Sequence, residues 1–155
     1  MNLIKKKKIQ KTLKQTKERR NSMTCKVIKC KVVSNSLSNS VKEQLHQLFL
    51  ESKWLYNFIL ASEDISKFNT KINSVSIKIK DSFEQRSLKQ ISAQMKQGIH
   101  TRIFSSMSTL KALKRKGYKI GKLKFKSEIN SVPLKQHTQT FTILKNQKRI
   151  KIQGI

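Results

Sequence analysis

The chain has 155 residues, of which 36% are hydrophobic, and 35 Lys plus Arg face 8 Asp plus Glu for a formal charge of +27. That length holds one domain or two small ones with a modest core. No apolar run of roughly 18 residues is present, which argues against a membrane span. The basic start has no apolar stretch behind it of the kind that makes a secretory signal.

Only Arg19, Arg20, Arg86, Arg102, Arg115 and Arg149 are arginines, so lysine supplies 29 of the 35 cations. An AT-rich coding bias accounts for abundant Lys, Asn and Ile beside 4 Gly and 1 Pro, but it would admit Asp and Glu as readily. The shortage of acids therefore needs a physical reason. Self-repulsion on this scale opposes a compact state unless a polyanion neutralises it, and nucleic acid is the expected partner.

In chain order, residues 1–22 read as a basic flexible arm with a weak helical stripe of Ile4, Ile9 and Leu13, one that orders on a polyanion. Met23 is an alternative start. Residues 24–34, TCKVIKCKVVS, predict a strand from their β-branched residues. Cys25 and Cys30, five apart on it, point to opposite faces, so no disulfide joins them; with scattered His46, His100 and His137 they make a weak zinc set. Ser38, Asn39 or Ser40 is the expected N-cap of the next helix, with Ser40 and Glu43 spaced as a capping box.

Residues 41–62 predict that helix, with Val41, Leu45, Leu48, Phe49, Leu55, Phe58 and Ile59 at helical spacing and Trp54, Tyr56 and Leu60 widening the apolar face. INSVSIKIK, 72–80, reads as a strand or a loop. Residues 81–116 predict one long helix on the stripe Leu88, Ile91, Met95, Ile99, Ile103, Met107, Leu110 and Leu113, ended by Gly117. Gly98 inside it marks close packing or a bend. Lys89, Lys96, Arg102 and Lys111 are assigned to its outer face, and Lys114 to its last turn, where cations suit the helix dipole.

After Gly117 the period changes to 2. In GYKIGKLKFKS, 117–127, Lys122, Lys124 and Lys126 share one face of a predicted strand and Leu123 and Phe125 the other, with a bulge or turn at Gly121. A solvated edge strand explains such lysines in isolation. Residues 138–144 and 149–153 predict a hairpin around a four-residue loop, Phe141 and Ile143 opposing Ile150 and Ile152.

From about Thr24 onward the order of elements resembles the N-terminal half of TnpB-type proteins, the OrfB transposases of insertion sequences, RNA-guided nucleases related to compact type V CRISPR effectors. The likeness rests on the basic opening strand, KWLYNFIL at 53–60, the long helix with Gln94, GKLKFKS at 121–127 and the closing RIKIQGI. Leu123 stands where the family usually has proline. The resemblance implies an α+β fold: a small wedge-type β-barrel of first and last strands with an inserted helical recognition lobe. In that setting the lysine face of 122–126, with Lys119 beside it, is expected to meet phosphate, while Leu123 and Phe125 dock the strand in the barrel core. Its divisions are the arm at 1–22, a first wedge strand at 23–36, the lobe at 37–117 and the remaining wedge strands at 118–155.

It also implies guide-type noncoding RNA and DNA as partners. The family's chemistry belongs to a RuvC-like nuclease whose carboxylates hold two metal ions. All eight acids here occur by Glu128, so the resemblance implies a front part truncated ahead of that nuclease, without catalysis, metal or cofactor. The expected location is the cytoplasm, at the nucleoid if the source is bacterial or archaeal. The candidate nucleic-acid contacts are Lys122, Lys124, Lys126, Lys119, Lys89, Lys96, Arg102, Lys111 and Lys114. A stand-alone DNA-binding regulator, a small basic ribosome-associated protein and an inactive decayed fragment stay open as alternatives.

Overall fold

The computed structural model describes residues 3–22, 33, 36–144, 146 and 149–155, and the chain divides into two units, Met1–Val33 and Ser34–Ile155. The strand expected over 24–34, with both cysteines, lies outside the described residues apart from Val33.

In the first unit the basic segment forms helix α1, Leu3–Ser22. The stripe expected on it is not a buried seam: Ile9 is 46% and Leu13 63% exposed. Ser22 Oγ donates to the Arg19 carbonyl at 2.8 Å, satisfying one of the orphan acceptors at the C-terminal end.

The second unit is built around two helices. Helix α2, Asn39–Ala61, starts at the N-cap Ser38, whose hydroxyl accepts from the Val41 N–H at 3.3 Å. The expected Ser40–Glu43 capping box is not used, because the cap falls two residues earlier and puts Val41 at the third helical position. Helix α3, Ala93–Arg115, is capped by Ser92, whose hydroxyl accepts from the Met95 N–H. Leu48, Leu55 and Ile59 of α2 meet Met95, Ile99 and Ile103 of α3 in the core. Burying each such side chain contributes about 1.5–3 kcal/mol.

The expected long helix is shorter at its N-terminal end by a hairpin. Strands β1, Ser74–Ile79, and β2, Ser82–Ser87, pair antiparallel with Val75 opposite Arg86 and Ile79 opposite Ser82. Lys80, at φ 52°, and Asp81 make the turn. Residues 81–87 carry no apolar stripe to hold a helix against the core; Phe83 there is 71% exposed. Leu88 and Ile91 are buried as expected, but from the connecting segment. The fully buried Glu51 carboxylate accepts from the Gln90 and Ile91 N–H groups at 2.8 and 3.0 Å, so this backbone is bonded to α2 instead of into α3.

The C-terminal end of α3 follows expectation. Gly117 has φ 83°, the Tyr118 N–H donates to the Leu113 carbonyl at 3.2 Å and the Gly117 N–H to the Lys114 carbonyl at 3.0 Å. This pair of bonds is the Schellman arrangement, which needs a residue at home in the left-handed region.

Strands β3, Phe141–Leu144, and β4, Arg149–Ile152, form the expected hairpin, Phe141 opposite Ile152 and Ile143 opposite Ile150. The fold among the described residues is therefore α+β with two separate two-stranded sheets and no closed barrel. The strand expected over 118–126 is the main correction. That segment holds no strand and pairs with none among the described residues, so no ladder there links the two hairpins. No helix among the described residues is long and apolar enough to cross a membrane.

Candidate nucleic-acid interface

Residues 118–135 leave α3 and run back across both helices as a strap. Three contacts fix it. Asn57 of α2 donates its amide Nδ2–H to the Lys126 carbonyl at 2.9 Å, and its Oδ1 accepts from the Lys126 N–H at 2.8 Å. A primary amide bonded in both directions satisfies both backbone groups of Lys126 as a neighbouring strand would, so this one side chain replaces the missing ladder. Further along, Arg102 of α3 donates from Nη1 to Ser131 Oγ at 3.2 Å, and more distantly to its carbonyl at 3.4 Å.

The third contact is Pro133 against Gly98. A Cβ built on Gly98 would stand 2.5 Å from Pro133 Cγ and 2.9 Å from its Cβ. Gly98 is thus a seat for the strap, which settles the sequence alternative in favour of close packing, with a loop as its neighbour.

The alternation expected of GKLKFKS survives in part. Leu123 turns inward, half-buried against the core. Lys119, Lys122, Lys124 and Lys126 are exposed. Phe125, expected in a barrel core, is 65% exposed; without a second sheet layer nothing covers the side of the chain it occupies. Lys126 folds its ammonium toward α2, 6.0 Å from the centre of the Tyr56 ring. That ring is half-buried, and burial raises the Tyr56 phenol above its ordinary value.

Between strap and helices lies a cleft of about 280 Å³ lined by residues that include Tyr56, Arg102, Lys126, Glu128, Asn130 and Ser131. Its two cations suit an anion, but Glu128 places a carboxylate in the same wall. The outer face of the strap, from Lys119 to Lys126, has no acid in it and is the better phosphate-facing surface. Only two ion pairs form among the described residues, Lys67 with Asp64 and Arg86 with Glu84, so the strap lysines have no intramolecular neutralising partner there.

The remaining predicted contacts are dispersed. Lys96 is 5% exposed and its ammonium donates to the Ile72 carbonyl at 2.6 Å and to Asn73 Oδ1 at 3.5 Å. Burial holds it below the ordinary lysine value, and the Glu51 carboxylate only partly offsets this. It secures the segment before β1 and has no face for phosphate. Lys89 is exposed in the connection ahead of α3. Lys111 and Lys114 are exposed on α3, but Lys111 is nine residues from Arg102, about 900° of helical rotation, and so on the opposite side. The outer face assigned to α3 does not exist as one surface.

Sequence reasoning missed Asn57 as the clamp and His100 as a packing residue. An amide inside the apolar run WLYNFIL, 54–60, calls for a partner, which is the signal that marks Asn57. His100 stacks on Phe68, with ring centres 5.7 Å apart, and its Nε2 meets the Ile65 carbonyl at 2.6 Å, holding the short 3-10 turn Ile65–Lys67 to α3. No group of His, Cys, Asp and Glu among the described residues is arranged to hold a metal ion. Comparisons with family models, with curated proteins and with solved structures find no match to this chain.

Proposed function

We propose that the protein binds nucleic acid without catalysing a reaction on it, in the manner of the guide-RNA and target-DNA-binding front part of a TnpB-type transposase. The observation that carries this reading is the strap: four exposed lysines, Lys119, Lys122, Lys124 and Lys126, on a segment pinned to α2 by the backbone of Lys126. Support also comes from the contact between the two motifs of the resemblance, since KWLYN supplies Asn57 and GKLKFKS supplies Lys126. In this reading residues 37–117 act as the recognition lobe, and the strap with β3 and β4 as the wedge side. The proposal rests on the strap and not on barrel closure.

Lysine gives point-charge contacts to phosphate more than the bidentate base readout typical of arginine, so RNA should bind at least as strongly as duplex DNA. Labelled RNA and duplex DNA titrated by anisotropy at several salt concentrations test this. If about 6 phosphates are neutralised, affinity falls on the order of a thousandfold between roughly 50 and 200 mM salt. Replacing Lys122, Lys124 and Lys126 together by Gln should lower the salt slope by up to about 3. A triple variant that binds like the parent sinks the proposal and leaves the strap as a solvated edge.

A further inference from the structure

Two large aromatic side chains lie open on the strap. Tyr118 is 63% and Phe125 65% exposed. One exposed aromatic needs no explanation. These two share a run, 118–126, that holds Lys119, Lys122, Lys124 and Lys126 and no acid. Each also sits at a backbone anchor. The Tyr118 N–H is bonded to the Leu113 carbonyl in the turn that ends α3, and Phe125 directly precedes Lys126, whose N–H and carbonyl are both held by Asn57. The rings are thus carried on fixed backbone near the two ends of the lysine run, their Cα atoms at most about 25 Å apart.

We infer that Tyr118 and Phe125 are stacking platforms for unpaired nucleobases, so that the strap binds single-stranded nucleic acid in preference to duplex. The inference rests on the nucleic-acid reading above and specifies the form of the ligand. Lysines alone attract any polyanion. Aromatic faces between lysines add affinity only where a base is free to leave its neighbours, because bases within a duplex are already stacked on both sides. Open aromatics along a cationic track are the chemistry of single-strand binding, and base identity matters little because every base has a π-face. Backbone anchoring reduces the ordering cost of binding.

The test uses the full chain and three probes: a labelled oligouridine of about 12 nucleotides, within the range of single-strand site sizes, a duplex of the same length, and inorganic polyphosphate as competitor. Tyr118→Leu and Phe125→Leu keep an apolar side chain and remove the ring. Each is expected to weaken oligouridine binding roughly 5- to 100-fold, leaving duplex affinity, polyphosphate competition and salt slope as in the parent. Both residues are exposed, so melting temperature should not move.

Leu variants that bind oligouridine like the parent, while the lysine variants lose affinity, overturn stacking and leave the phosphate reading intact. Equal losses on all three probes also overturn it, since the rings would then be acting through strap structure. A parent protein that binds none of the probes overturns both readings.

Discussion

Replacing Asn57 by Ala should free the strap without unfolding the protein. The substitution removes both bonds to Lys126, at 2.9 and 2.8 Å. A typical intramolecular hydrogen bond contributes about 0.5–1.5 kcal/mol net, so the pair stabilises docking by about 1–3 kcal/mol. The site is solvent-exposed, which allows water to replace part of each bond. Leu123 stays half-buried and Pro133 stays on Gly98, so the far end of the strap keeps its attachment. Backbone amide exchange measured over 118–127 reads the effect directly. Protection of the Lys126 N–H should fall roughly 5- to 100-fold, since about 1.4 kcal/mol is a factor of ten. Core amides in α2 and α3 should exchange as before. Asn57→Asp keeps the acceptor for the Lys126 N–H and loses the donor to its carbonyl, so about half the effect is expected. Unchanged exchange at Lys126 would refute the clamp. Equal loss of protection at Lys126 and in the α3 core would refute the idea that the strap docks as a separate unit.

The Gly98 seat predicts that Gly98→Ala destabilises, because the rigid Pro133 ring cannot move aside cheaply. Overpacking of about 1–3 kcal/mol is only partly offset by a helix-propensity gain near 1 kcal/mol, and a thermal melt should fall by a few degrees while Gly121→Ala, with open space around it, does not. For Lys96 the folded-state pKa lies below the ordinary 10.5 because of burial. The unfolded chain then binds more protons between the two values, so stability rises with pH in that window. Denaturant midpoints from neutral pH to about 10.5 should rise for the parent relative to Lys96→Met; parallel curves would refute the assignment.

Much of the helical frame was legible because burial selects one face at a fixed period. Leu48, Leu55 and Ile59, and then Met95, Ile99 and Ile103, are core in the structure as their spacing predicts. The start of α3 was misread because Leu88 and Ile91 continue the stripe by spacing while lying outside the helix; Glu51, distant in sequence, captures the backbone there. Alternation in GKLKFKS correctly marks an inward Leu123 between exposed Lys122 and Lys124, but the strand it predicts does not form. It carries no information on pairing, since a lone strap and a sheet strand have the same period. Lys96 was assigned to the outer, nucleic-acid-contacting face of the helix, whereas the Ile72 carbonyl and Asn73 draw it inward.

The way the strap is held bears on what its lysines can do. A segment with Lys119, Lys122, Lys124 and Lys126 cannot be fixed by burial, because sinking ammonium groups into a core costs several kcal/mol each unless they are paired. Ion pairs would fix it, but acids placed for that purpose would neutralise the cations and weaken with salt. A neutral amide bonding the backbone in both directions does neither. Asn57 holds the chain at Lys126 while its side-chain ammonium stays exposed over Tyr56. Pro133 on Gly98 adds an uncharged contact, and the cations that join in, Arg102 on Ser131 and Lys135 on Thr101, meet neutral partners. The docking forces are thus largely insensitive to salt, while attraction of the lysine run to phosphate is strongly sensitive to it. Raising the salt concentration should therefore release a bound polyanion and leave the strap in place, so that loss of binding at high salt measures phosphate contacts and not loss of the site.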